Sequence, residues 1–128
     1  MTRTVVTTGN APAPAAPLSQ GIRKGGLLQV SGQLPLDPDT GEIVGTTVAE
    51  QTAQALRNVT AVLKAGGADL ADVVMLRVYL TDPAHLAGMN EAYAAAVGEP
   101  FPARTTVYMP LPPGLLVEID ALAVLVDG

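Results

Sequence analysis

Three residues near the C-terminal end, Arg104, Glu118 and Asp120, have the types and spacing best suited to chemistry. A guanidinium grips a carboxylate through two parallel hydrogen bonds, and a neighbouring carboxylate can take up and return protons. The segment Leu111-Pro112-Pro113-Gly114 reads as a hairpin loop joining the last two strands. With Met109 and Leu115 in register across it, Arg104 falls opposite Asp120 and diagonal to Glu118, and any even slip keeps the three on one face. An ordinary cross-strand ion pair fits that arrangement as well as a substrate site does. Glycine at Ser31-Gly32-Gln33 interrupts a strand, which marks a generic turn, a bulge or a close backbone approach. Asn90 sits among small residues of a helix, where most asparagines are simply solvated. His85, in the first turn of that helix, is given no catalytic part.

The elements that must position these residues follow from periodicity. Thr47 to Ala65 predicts a helix, with Thr47 and Glu50 in the capping-box spacing, an apolar stripe through Leu56, Val59 and Leu63, and Gly66-Gly67 as its stop. A second helix is predicted from about Pro83 to Val97, capped by Asp82, with Leu86, Met89, Tyr93 and Val97 on one side. Leu27 to Ser31 and Val73 to Leu80 predict strands, and Asp37 to Gly41 a turn. Parity puts Val74, Leu76, Val78 and Leu80 on one face of the second of these, and Val73, Met75, Arg77 and Tyr79 on the other. In the last strand Leu115, Val117, Ile119, Ala121, Ala123 and Leu125 form a wholly apolar face. Its opposite mixes Glu118 and Asp120 with Leu122, Val124 and Val126, and Arg104, Thr106 and Tyr108 are expected on the same side. An apolar strip of that size asks for cover, so this face is expected to pack against other subunits. The order strands, helix, strand, helix, strands predicts an α+β fold with two helices on one face of a mixed sheet. Gly9 to Gly21, with Pro12, Pro14 and Pro17, is extended, either as a flexible linker or as an ordered arm.

Composition narrows the chemistry. The 128 residues suffice for one domain, read as 1–128, with a core of its own. No cysteine and one histidine leave no thiolate nucleophile, disulfide, thiolate zinc site or multi-histidine metal site within the chain. Twelve acidic against seven basic residues, a net charge of −5, with no tryptophan and one phenylalanine, argue against nucleic acid as a partner. The longest apolar run is far too short to span a membrane, and the first residues lack the apolar stretch of a secretory signal. A cytoplasmic protein is the expectation.

Taken together, Asn10-Ala11-Pro12, Gln20-Gly21, Ser31-Gly32-Gln33-Leu34-Pro35, Asn90-Glu91-Ala92-Tyr93, Phe101-Pro102-Ala103-Arg104-Thr105-Thr106-Val107 and Val117-Glu118-Ile119-Asp120-Ala121 resemble the reactive-intermediate deaminase (RidA/YjgF) family, in the family's order and through nearly the whole chain. The resemblance implies a chorismate-mutase-like fold, a homotrimer, and clefts between subunits that hydrolyse enamines and imines such as 2-aminoacrylate to 2-keto acids and ammonia, without metal or cofactor. It implies that Arg104 binds the substrate carboxylate and Glu118 positions water and exchanges protons, while Leu18, Ser31, Gly32, Asn90 and Thr106 line the cleft. Active members commonly have tyrosine where this chain has Leu18 and cysteine where it has Thr106. Members of the family are also described as endoribonucleases or translation inhibitors, and a non-catalytic ligand-binding trimer is a third reading.

Overall fold

A computed structural model describes residues 2–125. Six strands, β1 (Thr4–Val6), β2 (Gly21–Lys24), β3 (Leu27–Gln33), β4 (Val73–Leu80), β5 (Ala103–Tyr108) and β6 (Val117–Val124), form one sheet in the order β1-β2-β3-β6-β4-β5. Two helices, α1 (Val48–Ala65) and α2 (Leu86–Val97), pack against each other, and α1 also lies on β3 and β6. All neighbouring strands are antiparallel except β4 and β5, the parallel pair joined through α2.

Helix α1 starts where its cap dictates. The Thr47 side chain accepts from the Glu50 backbone N–H at 3.2 Å, and Glu50 Oε1 accepts from the Thr47 N–H at 3.2 Å. Its apolar stripe, Leu56, Val59, Val62 and Leu63, packs with Leu28, Val30, Leu76, Val78, Ile119 and Ala121 in the core. Three buried polar residues on the same helix hold loops. Gln51 Nε2 donates to the Gly114 carbonyl at 2.8 Å while its Oε1 accepts from the Leu116 N–H at 2.8 Å. Asn58 donates to the Leu34 and Leu36 carbonyls at 2.9 and 3.0 Å and accepts from Gln54 Nε2 at 3.1 Å. The second helix is preceded by a 3-10 turn, Pro83–His85, whose cap is the Asp82 side chain, accepting from the Ala84 N–H at 2.8 Å.

The proline-rich segment is an ordered arm. The Gln20 side chain, 3 % exposed, accepts from the Thr8 N–H and donates to the Thr8, Ala11 and Pro12 carbonyls, so one amide ties down the irregular backbone from Thr8 to Pro12. The short strands β1 and β2 flanking the arm carry no clear alternation of their own.

Two expectations fail, each for a physical reason. The hairpin across Leu111–Gly114 does not form, because β4 occupies the place beside β6 and β5 lies beyond it at the sheet edge. The connection crosses the end of β4 instead, where the Met109 N–H donates to the Leu80 carbonyl at 2.9 Å and the Thr81 N–H to the Leu116 carbonyl at 3.2 Å. Strict parity in β4 also breaks, since a register shift against β6 between Val73 and Met75 buries Val73 and leaves Val74 47 % exposed. The last strand behaves as read, with Val117, Ile119, Ala121 and Ala123 wholly buried; the expectation for Val126 lies outside the described residues.

Candidate active site

Register separates the candidate residues into two groups. Arg104 pairs with Leu76 and Thr106 with Val78, so both side chains share the helix face with core residues. Glu118 pairs with Tyr79 and Asp120 with Arg77, on the opposite, open face. Arg104 therefore meets neither Asp120 nor Glu118 within the chain. The expected juxtaposition on adjoining strands assumed that β5 and β6 are neighbours, and interposing β4 with a parallel partner removes it.

On the helix face, α2 brings Asn90 and Tyr93 to Arg104. A cavity of about 370 Å³ is lined by Asn90, Tyr93, Ala94, Phe101, Pro102 and Arg104. The guanidinium carbon of Arg104 lies 4.9 Å from the centroid of the Tyr93 ring, and no described residue hydrogen-bonds the guanidinium. Phe101 stands 6.4 Å from Tyr93, tilted by 40°. The buried oxygens Asn90 Oδ1, Tyr93 OH and Thr106 Oγ1 have no hydrogen-bond partner among the described residues. Buried polar atoms are paired in the great majority of cases. Two of these unpaired oxygens, on Asn90 and Tyr93, belong to residues that line the cavity with Arg104, whose guanidinium no described residue hydrogen-bonds. Burial raises the Tyr93 phenol above its ordinary pKa, opposed by the charge of Arg104, so it stays a neutral hydroxyl.

On the open face, Gly32 lies against Glu118. A Cβ added at Gly32 would collide with the Glu118 carboxylate, standing 3.0 Å from its carboxyl carbon. This is the close approach that glycine at a strand interruption predicts, and a register shift between Val30 and Gln33 marks the bulge. Leu18 and Gly32 line one cavity of about 230 Å³ under the arm, together with Leu34 and Leu36. Ser31, beside Gly32, holds the arm: its hydroxyl donates to the Ser19 carbonyl at 2.6 Å and its N–H to the Gln20 carbonyl at 2.9 Å. Burial first, and then the negative charge of Asp120, raise the Glu118 pKa above the usual glutamate value. Asp120 is itself anchored, accepting from Arg77 Nε at 2.8 Å and from Tyr79 OH at 2.7 Å.

The seven residues singled out from sequence thus fall into two groups, Asn90, Arg104 and Thr106 on the helix side of the sheet, and Leu18, Ser31, Gly32 and Glu118 away from it. Tyr93, Phe101, Arg77 and Tyr79 are the participants that sequence reasoning missed. Arg77 and Tyr79 could have been found, since parity already places them on the side of Glu118 and Asp120. Tyr93 read only as part of an apolar stripe. Among the described residues no cluster of three or more histidine, aspartate or glutamate side chains could hold a metal ion, and no helix is long and apolar enough to cross a membrane.

Known proteins agree with this architecture. The family model described as Endoribonuclease L-PSP matches residues 8–125. A RutC family protein of Pyrococcus horikoshii is 48 % identical over 120 residues, covering 93 % of this chain and 95 % of its own. A 2-iminobutanoate/2-iminopropanoate deaminase of Bos taurus is 38 % identical over 125 residues, covering 97 % and 91 %. The crystal structure of the YjgF gene product of E. coli superposes with a TM-score of 0.89 at 38 % identity, covering 94 % of this chain and 98 % of that one. The fold is the α+β, chorismate-mutase-like mixed sheet with two helices of RidA/YjgF proteins. The chain belongs to the RidA/YjgF family.

Proposed function

We propose that the protein hydrolyses 2-imino acids and their enamine tautomers to 2-keto acids and ammonia, in a cleft where the Arg104 half-site of one protomer faces the Glu118 half-site of another within a homotrimer. The observation that carries this reading is the Arg104 guanidinium, without a hydrogen-bond partner among the described residues, in a cavity it shares with Asn90 and Tyr93, whose buried side-chain oxygens are unpaired. Such a group asks for an anionic partner, and a substrate carboxylate supplies one. The relative named 2-iminobutanoate/2-iminopropanoate deaminase supports the choice of an imine.

In this reading Arg104 holds the carboxylate while Asn90 and Thr106 offer polar atoms to the rest of the substrate. Glu118 takes a proton from water as the water oxygen bonds to the carbon of the protonated imine and the carbon–nitrogen π pair passes to nitrogen, giving a neutral carbinolamine. It then returns that proton to nitrogen, the carbon–nitrogen bond breaks with its electron pair leaving on ammonia, and the hydroxyl proton passes back to the Glu118 carboxylate as the carbonyl forms. A carboxylate with a raised pKa suits these proton transfers, which are worth about 10²–10⁴-fold. An imine is already electrophilic, so the steps need no covalent nucleophile. Ribonuclease activity, which the family description names, fits less well with a net charge of −5.

The test is ammonia release from imines generated in place by an amino-acid oxidase. Wild-type protein should accelerate it, and Arg104→Ala and Glu118→Ala should each lose about a hundredfold or more. Equal rates for all three proteins would remove the enzymatic reading.

A further inference from the structure

Arg104 stands on an edge strand whose backbone has a neighbour on one side only, and no described residue accepts a hydrogen bond from its guanidinium. An arginine side chain so placed would sample many rotamers. Gripping a carboxylate through two parallel bonds requires one orientation of the guanidinium plane. The contact that supplies it is the Tyr93 ring, 4.9 Å from the guanidinium carbon.

Tyr93 is a firm support. It is 4 % exposed, sits one helical turn beyond the fully buried Met89, and is flanked by Phe101 at 6.4 Å. The ring thus links edge strand β5 to α2, which is itself anchored in the core. A guanidinium held through the ring keeps its N–H donors for a ligand. The hydroxyl of Tyr93 plays no part in this contact.

We propose that Tyr93 is the positioning residue of the site: its ring sets the orientation in which Arg104 grips the substrate carboxylate. The assignment rests on the carboxylate-clamp reading of Arg104, and Tyr93 acts through that residue on binding, with the proton steps left to Glu118. A residue that merely filled the core would change stability without changing ligand affinity.

The test compares the wild type with Tyr93→Phe, Tyr93→Leu and Tyr93→Met. Binding of 2-ketobutanoate is followed by NMR titration, and kcat and KM are measured on 2-iminobutanoate formed in place. Thermal melting reports the fold, and the methionine variant guards against failure of the leucine one. Tyr93→Phe keeps the ring and loses only the unpaired hydroxyl, so its affinity should fall less than that of the leucine and methionine variants. The leucine and methionine variants should lose about three- to thirtyfold in affinity, with KM rising by the same factor and kcat nearly unchanged. Wild-type affinity in the leucine and methionine variants would overturn the assignment. So would a loss in Tyr93→Phe as large as theirs, which would put the effect on the hydroxyl. If wild-type protein binds 2-ketobutanoate yet releases no ammonia from imines, the deaminase reading fails while the Tyr93 assignment is still decided by the binding series. If it does not bind 2-ketobutanoate at all, both fail.

Discussion

Glu118 shows how much one side chain owes to its neighbours. Its face of the sheet presents Asp120 two residues along the same strand, Tyr79 and Arg77 from β4, and the glycine backbone of Gly32 from β3. Burial and the Asp120 charge both favour the protonated form, so its pKa is raised. The sign for activity follows directly. Below that pKa the base is protonated and kcat/KM falls, so the acid limb of the profile lies above the pH where an ordinary glutamate titrates. Asp120→Asn removes the like charge, which should displace the limb to lower pH in a pH–kcat/KM profile; an unmoved limb would leave burial as the sole cause. Arg104, Glu118, Gly32, Asn90 and Thr106 were legible as chemical candidates from residue type and resemblance. Their separation onto two faces was not, because it depends on which strand lies between β5 and β6.

At the scale of elements, local signals carried most of the reading. The helix over Val48–Ala65 is where the Thr47 and Glu50 pair puts it, and the strand over Val73–Leu80 coincides with its apolar run. Thr47→Ala should cost about 1 kcal/mol in chemical denaturation, since it removes the cap and one half of the reciprocal pair. Backbone N–H groups of Thr46 and Thr47 lower the Glu50 pKa. The contribution of that group is therefore present above its ordinary pKa and lost as pH falls through the lowered one. What local signals could not show is pairing that spans the chain. Neighbouring strands in sequence usually pair, and β5 and β6 are an exception created by the parallel crossover through α2. The bulges at Val74 and at Ser31-Gly32 likewise shift parity in a way that an alternating pattern cannot announce.

At the scale of the whole molecule, the helix face of the sheet is covered and the other is open. Leu27, Val107 and Val124 are 52 %, 40 % and 40 % exposed, and β5 is an edge strand with apolar side chains at its surface. Cover by further copies of the chain, expected from the mixed face and proposed here as a homotrimer, would bury these residues. It would also let one protomer's helix-face cavity meet another's open face. That assembly is the condition on which the proposed chemistry depends, since neither half-site alone holds both the anion clamp and the proton-transferring acid.

Subunit mixing tests this condition most directly. Arg104→Ala and Glu118→Ala proteins, each inactive alone, are unfolded together, refolded, and assayed for ammonia release from 2-iminobutanoate. Random assembly gives each cleft about a one-in-four chance of pairing an intact Arg104 with an intact Glu118, so about a quarter of wild-type activity should return. A mixture as inactive as its parents, beside a wild-type control that recovers fully, would contradict a site shared between protomers.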